Sequence, residues 1–155
     1  MEIIEGNILD VSEGIIVHQV NCKKKMGAGL ALQIKKKYPK VFNDYINHLE
    51  LYEKMGRDPL GSINSTSCTD VIVYNFYAQG NYGRNGIQTD YDAFEKCLKA
   101  LEKRFENSKI KKTDIPVYFP YGIGWGLAGG YWPVILELIK TYFPDAKIIK
   151  FTGVL

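Results

Sequence analysis

Two glycine-bearing segments carry the residue types best suited to gripping an anion. The first runs His18-Gln19-Val20-Asn21-Cys22-Lys23-Lys24-Lys25-Met26-Gly27-Ala28-Gly29-Leu30, from an apolar run through a polar turn into a helical pattern. Small residues at such a turn let backbone N–H groups approach a phosphate, and the start of the following helix adds a favourable dipole. Taken alone, this stretch reads equally well as an ordinary strand-to-helix turn whose glycines serve only the backbone. The second segment is Pro120-Tyr121-Gly122-Ile123-Gly124-Trp125-Gly126-Leu127-Ala128-Gly129-Gly130. Five glycines between residues 122 and 130, after a strand-like run and before a helical one, are harder to dismiss.

Gly124 to Gly129 formally satisfies GxGxxG, the dinucleotide fingerprint. That motif requires a further strand with an acidic ribose ligand about 20 residues on, and it belongs to the first strand–helix turn of its fold. Here it belongs to the last such turn, and no acidic residue follows Asp145. No Walker lysine-serine pair is present, which disfavours nucleoside triphosphate hydrolysis. Two such loops on one sheet fit a ligand with adjacent phosphates held from both sides, a pyrophosphate joining two nucleoside-like halves.

The elements that must position these loops are legible as alternating patterns. Strand-like runs occur at Ile15–Val20, Val71–Phe76, Ile115–Phe119, Ile3–Ile4 and Lys147–Phe151, with a more polar one at Ser62–Thr66. Their β-branched and aromatic content favours strand over buried helix. Tyr91, Phe94, Leu98, Leu101 and Phe105 follow helical spacing and share one face. Thr89 or Asp90 is placed to cap that helix. Another helix should begin near Trp132-Pro133, with Trp132, Ile135, Leu136, Ile139 and Phe143 as its apolar face. Two more are expected at about Ala28 to Tyr38 and Val41 to Lys54, separated by Pro39. Strands alternating with helices predict an α/β sheet covered on both faces, with its ligand at the carboxyl ends of the strands.

The whole-chain properties are those of an ordinary globular protein. The chain has 155 residues, 46% hydrophobic and 24% charged, with a formal net charge of +3 that does not advertise nucleic-acid binding. No linker or repeat divides it, so a single domain spanning 1–155 is expected. The first residues lack the pattern of a signal peptide, and no stretch has the length of a membrane span. Cys22, Cys68 and Cys97 form no CxxC pair and read as reduced thiols, so neither a disulfide framework nor a metal site is expected, and the expected compartment is the cytoplasm.

The remaining polar candidates have plain readings beside functional ones. His18, next to the first loop, reads first as a hydrogen-bonded core histidine and second as an acid or base. His48 reads as an ordinary helical residue, and Cys22 as a small buried thiol. Lys23–Lys25 and Lys35–Lys37 read as solvated faces that also raise the local positive potential. The loop Asn81-Tyr82-Gly83-Arg84-Asn85-Gly86 reads as surface, with Tyr82 or Arg84 in reach of a terminal phosphate as the alternative.

At Gly6-Asn7-Ile8, His18 to Cys22, Met26-Gly27-Ala28-Gly29-Leu30-Ala31, Thr89-Asp90-Tyr91 and Gly122 to Leu127, the sequence resembles the macrodomain family. These landmarks stand in family order and cover nearly the whole chain. The likeness is greatest to the branch of ADP-ribose-1″-phosphate phosphatases and ADP-ribosyl-glutamate and DNA ADP-ribosyl hydrolases, and within it to small bacterial and phage members. The resemblance implies a three-layer α/β/α fold with a mixed central sheet. It implies that Asn7 and Ile8 border an adenine, with Asn7 replacing the aspartate that many members aim at the exocyclic amine. A neutral amide accepts that hydrogen bond without charge assistance. It further implies that Asn21 contacts the distal ribose and that Met26, Gly27, Ala28 and Gly29 line one side of the diphosphate. It also implies that Gly122, Ile123, Gly124, Trp125, Gly126 and Leu127 wrap the other side, with Trp125 near the distal ribose.

Two departures bear on chemistry. Hydrolases of this branch that cleave glutamyl-linked ADP-ribose carry an aspartate where this chain has Ala128, and a lysine where Gln79 is the nearest equivalent. A lysyl covalent intermediate is therefore not expected. The leading expectation is an enzyme that hydrolyses ADP-ribose-1″-phosphate without a cofactor, with Asn21 orienting the sugar and His18 assisting. The alternatives are a non-catalytic module that binds ADP-ribose or an NAD-derived signal, and a de-ADP-ribosylating hydrolase lacking the usual Lys/Asp pair. Expected partners are the small molecule or an ADP-ribosylated macromolecule, with no membrane and a monomeric state.

Overall fold

The strand-like runs become six strands: β1 (Glu2–Glu5), β2 (Gly14–Asn21), β3 (Ile63–Cys68), β4 (Val71–Gln79), β5 (Val117–Pro120) and β6 (Lys147–Lys150). The helices are α1 (Gly29–Lys37), α2 (Pro39–Lys54), α3 (Tyr91–Ser108) and α4 (Trp132–Tyr142), with a short 3-10 turn at Ile8–Asp10. These elements come from a computed structural model that describes residues 1–80, 89–123 and 130–152.

All six strands lie in one sheet in the order β1-β6-β5-β2-β4-β3. Every neighbouring pair is parallel except β3–β4, which makes the sheet mixed. Helices cover both faces, giving three α/β/α layers. On one face Ile34 of α1 and Val41, Tyr45 and Leu49 of α2 pack on Ile16, Val20, Val73, Tyr77 and Ile149. On the other, Phe94, Leu98 and Leu101 of α3 and Ile135 and Ile139 of α4 pack on Val17, Phe76, Phe119 and Ile148.

Local chemistry sets the boundaries. Asp90 is the cap of α3, its side chain accepting from the Ala93 amide at 2.9 Å, while the Thr89 hydroxyl accepts from Gln19 Nε2. The α3 stripe is buried as its spacing predicts, and Tyr91 packs partly buried against the same layer. In α4, Trp132, Ile135 and Ile139 are buried, Leu136 is partly so, and Phe143 closes the stripe just past the last turn. Pro39 does more than separate two helices: it opens α2, two residues earlier than the pattern predicts, because its fixed φ and missing N–H suit a first helical turn. β4 runs past Phe76 to Gln79, since Tyr77 and Ala78 are also buried.

The connections fix where a ligand can lie. From β2 the chain passes through α1 and α2 on one face and returns by β3 to β4, on one side of β2. From β5 it passes through α4 on the opposite face to β6, on the other side. β2 and β5 are neighbours, paired through Ile15–Val117 and Ile16–Tyr118. Between strands whose crossovers part in this way, the carboxyl edge of an α/β sheet opens a crevice, the usual ligand position in such folds.

Candidate functional site

The loop after β2 is built around Asn21. Its Nδ2 donates to the Lys25 carbonyl at 2.8 Å, and its Oδ1 accepts from the Lys23 amide at 2.9 Å. The Tyr45 hydroxyl, rising from α2, lies 2.7 Å from Asn21 Oδ1 and 2.9 Å from the Asn21 carbonyl, and accepts the Lys25 amide at 3.0 Å. Strict alternation along β2 would send Asn21 to the Gln19 side, away from α2. The β2–β4 register slips between Val20 and Asn21, leaving Ala78 of β4 without a β2 partner. The slip coincides with the Asn21 side chain turning toward α2, as irregularities beside sites commonly re-aim side chains. Asn21 thus retains one Nδ2–H to offer a ligand, and its oxygen is committed to the loop.

Beyond this knot Met26 is buried in the α1/α2 layer, while Gly27, Ala28 and Gly29 are exposed. Gly29 has φ +57, a left-handed value that suits glycine. Ala28 stands at the N-cap of α1 with no side-chain hydrogen bond. An alanine here leaves the first-turn amides without the side-chain acceptor that Ser, Thr, Asp or Asn would supply. The partial positive end of the α1 dipole therefore lies at the carboxyl edge with no acidic residue in its own first turn.

The segment after β5 begins with a tight turn. Ile123 donates its amide to the Pro120 carbonyl at 3.0 Å, and Gly122 has φ +77 at the third position, the signature of a type II turn. Ile123 is buried against the α3/α4 layer, and the Tyr121 ring packs 5.0 Å from that of Trp132 at the start of α4. Gly124, Trp125, Gly126 and Leu127, with Ala128, lie outside the described residues, as do Tyr82 and Arg84.

Asn7 caps the 3-10 turn, its Oδ1 accepting from the Leu9 amide at 2.9 Å, and Ile8 is buried in the α1/α2 layer. These residues follow β1, at the same edge of the sheet as the loops after β2 and β5.

His18 lies on the α2 face of β2 with Ile16 and Val20. It is 1% exposed, and its Nε2 sits 2.5 Å from Asn75 Oδ1. The Asn75 amide donates to Asn64 Oδ1 at 2.9 Å, so His18 must donate through Nε2. Its Nδ1 is left buried without a partner. Burial pushes the imidazole down to about 4, against a smaller opposing effect of the Asn75 bond, so His18 is neutral near pH 7. His18, Asn75 and Asn64 are register partners across β2, β4 and β3, and form a polar row beneath α2.

The other candidates resolve simply. His48 stacks on Tyr77 at 4.4 Å and meets the Ser62 hydroxyl at 2.8 Å, and burial, helped by Arg104, lowers its pKa to about 4. Burial pushes the Cys22 thiol up to about 11, which leaves it a poor nucleophile. Gln79 is half-buried with its Oε1 3.4 Å from Gln19 Nε2. Lys24 pairs with Glu53 at 3.2 Å, Lys35 lies over the Phe42 ring, and Lys37 donates to the Leu9 carbonyl. Among the described residues no cluster of His, Cys, Asp and Glu suits a metal, and no helix is long and apolar enough to cross a membrane. Sequence reasoning missed Tyr45: as one of Val41, Tyr45 and Leu49 on an amphipathic helix, it reads as core, and no motif marks where its hydroxyl points.

No protein-family model matches the chain. It is 30% identical to an uncharacterised 17.5 kDa protein of Enterobacteria phage T4, over 94% of this chain and 92% of the relative. It is 26% identical to an ADP-ribose 1″-phosphate phosphatase of Candida glabrata, over 90% of each. A DNA ADP-ribosyl glycohydrolase of Thermus aquaticus is also 26% identical, but the match spans 37% of that longer protein. Among solved structures, the macrodomain of Thermus aquaticus DarG superposes with a TM-score of 0.74 at 21% identity, over 98% of this chain and 97% of that one. Thermosipho africanus DarTG in complex with ADP-ribose gives 0.74 at 17% identity, over 97% of this chain and 42% of that one. With the fold of the DarG macrodomain shared over nearly the whole chain and an ADP-ribose 1″-phosphate phosphatase among its relatives, the chain belongs to the macrodomain family.

Proposed function

We propose that this chain acts as a single macrodomain that binds ADP-ribose or a close derivative in the crevice between β2 and β5, and hydrolyses ADP-ribose-1″-phosphate to ADP-ribose and phosphate. The observation that carries the reading is the uncapped start of α1 behind the exposed Gly27–Gly29 stretch, beside the Gly122 turn, where the crossovers part. In this reading the amides of Gly27, Ala28 and Gly29 face one side of the diphosphate. Gly122 and Ile123, with Gly124, Trp125, Gly126 and Leu127, take the other. Asn7 and Ile8 border the adenine, and Met26 supports the first loop from the core. Asn21 gives its remaining N–H to the distal ribose. The phosphatase name of the Candida relative, matched over 90% of its length, supports the reaction class.

Catalysis here draws on positioning and amide electrostatics. His18 is buried, neutral and engaged with Asn75, so it contributes by holding β2 in place. Without a positioned general base, worth about a hundredfold or more, turnover is slow. Phosphorus NMR of the protein with ADP-ribose-1″-phosphate tests the proposal. Growth of inorganic phosphate, lost in Gly126→Glu, is expected; an unchanged spectrum with ADP-ribose and its phosphate alike refutes the ligand itself.

One observation favours a second reading, a binding module without chemistry. Both side chains offered for catalysis are engaged elsewhere, Asn21 Oδ1 by Lys23 and Tyr45, and His18 by Asn75. Shifted diphosphate signals without phosphate release would select it.

A further inference from the structure

We propose that Tyr45 is a positioning residue that sets the shape of the first phosphate loop, clamping it from below through one hydroxyl. The inference rests on the proposed binding site. Its geometry is that of a three-way bridge: the phenol oxygen accepts the Lys25 amide at 3.0 Å and shares its proton between Asn21 Oδ1 at 2.7 Å and the Asn21 carbonyl at 2.9 Å. Both ends of the Asn21–Lys25 turn are thereby tied to one atom of α2. The same turn is closed by Asn21 Nδ2 on the Lys25 carbonyl, so two independent links fix the exit direction toward Gly27.

The ring that carries the hydroxyl is itself immobilised. Tyr45 stacks on Tyr77 at 5.7 Å with planes 12° apart, and Tyr77 stacks in turn on His48. Tyr77 also donates its hydroxyl to Asn64 Oδ1 at 3.0 Å and lies 3.1 Å from the Tyr45 carbonyl. Tyr45 is fully buried, and that burial pushes its phenol well above the ordinary tyrosine range, so the bridge keeps its proton at neutral pH. A clamp of this kind orders a loop that binds a polyanion through backbone amides. Its value is pre-organisation: the amides need not be gathered when ligand arrives.

Tyr45→Phe keeps the ring and removes the bridge, and Tyr77→Phe removes a neighbouring hydroxyl that does not touch the loop. In Tyr45→Phe the Lys25 amide resonance should move and exchange faster, and affinity for ADP-ribose by calorimetry should fall roughly five- to tenfold. Tyr77→Phe should lower the melting temperature but, because its hydroxyl meets the Tyr45 carbonyl and not the loop, move the Lys25 amide and the affinity less than Tyr45→Phe. An unmoved Lys25 amide in Tyr45→Phe, or equal effects of both variants on affinity, overturns the clamp. The wild-type protein gives a variant-free check, since the Lys25 amide should exchange about tenfold or more slower than an unstructured amide; an unprotected Lys25 also overturns it. Failure of the wild type to bind ADP-ribose would refute the ligand while leaving the amide measurements to decide the clamp.

Discussion

Replacing Gly27 with glutamate separates ligand contact from folding more cleanly than any other change in the first loop. Among the described residues a Cβ built at Gly27 meets nothing within 4 Å, and its backbone lies outside the left-handed region. A side chain there is therefore tolerated, and Gly27→Ala should change stability by less than about 1 kcal/mol, on the stabilising side if anything, because it restricts the unfolded chain. Gly29, two residues on, is the contrast: with φ +57 its alanine variant carries backbone strain of about 1 kcal/mol or more. For binding, a carboxylate at Gly27 roughly 5 Å from a diphosphate charge is repelled by about 1 kcal/mol in water-like surroundings and about 3 kcal/mol at an effective dielectric of 20. Gly27 is exposed, so the effect falls between these limits, a loss of roughly 5- to 150-fold in affinity. Calorimetric titration with ADP-ribose at low and at raised salt measures it, and salt should narrow the gap between Glu and Ala variants. A Gly27→Glu protein that melts like the wild type and binds ADP-ribose equally well would refute the placement of the diphosphate over this loop.

Acid should weaken the fold through His18: its pKa falls from 6.5 to about 4 on folding, so the unfolded chain binds the proton first and stability drops as pH falls from about 6.5 toward 4. That is worth about 3 kcal/mol, with His48 adding in the same direction, and urea unfolding of wild type against His18→Gln should show a shallower pH slope in the variant. Asp90→Ala should cost about 1 kcal/mol and lower the melting temperature by about 2–4 °C, with Asp90→Asn largely preserving it; equal losses in both would assign the effect to charge instead of capping. Gly14→Ala should destabilise by about 2 kcal/mol or more, because at φ +107 its Cβ would stand 2.7 Å from the Pro116 carbonyl oxygen. A melting temperature within a degree or so of wild type would contradict that packing.

What the sequence disclosed, and what it withheld, follows from the reach of each signal. Helical spacing from Tyr91 to Phe105 and the β-branched runs are local patterns, and they form α3 and the strands with boundaries shifted by only a few residues. The turn into α1 and the Gly122 turn after β5 were legible because short turns between elements depend on local backbone chemistry, while Gly124 to Gly129 lie outside the described residues. His18 was ambiguous by position, lying beside the first loop. Its parity with Ile16 and Val20 puts it on the buried α2 face, but its partner Asn75 is fixed by strand pairing across 57 residues. The turn of Asn21 toward α2 depends on a register slip against β4, for which the β2 sequence alone gives no sign. Tyr45 was hardest to foresee, since a hydroxyl's partners belong to tertiary structure while its ring satisfies the same apolar stripe as leucine.

The neighbouring positions of β2 and β5 have a consequence for synthesis. β2 ends at Asn21 and β5 begins only at Val117, so the two walls of the proposed crevice leave the ribosome far apart in time. A nascent chain carrying only the first wall has no β5 strand beside β2 to complete the proposed site. A ligand bound as proposed thus rewards the finished sheet, and its contribution grows with the logarithm of its concentration above Kd. Heat or protease resistance gained on adding ligand would therefore report completed chains, and a truncation ending before Val117 should gain none.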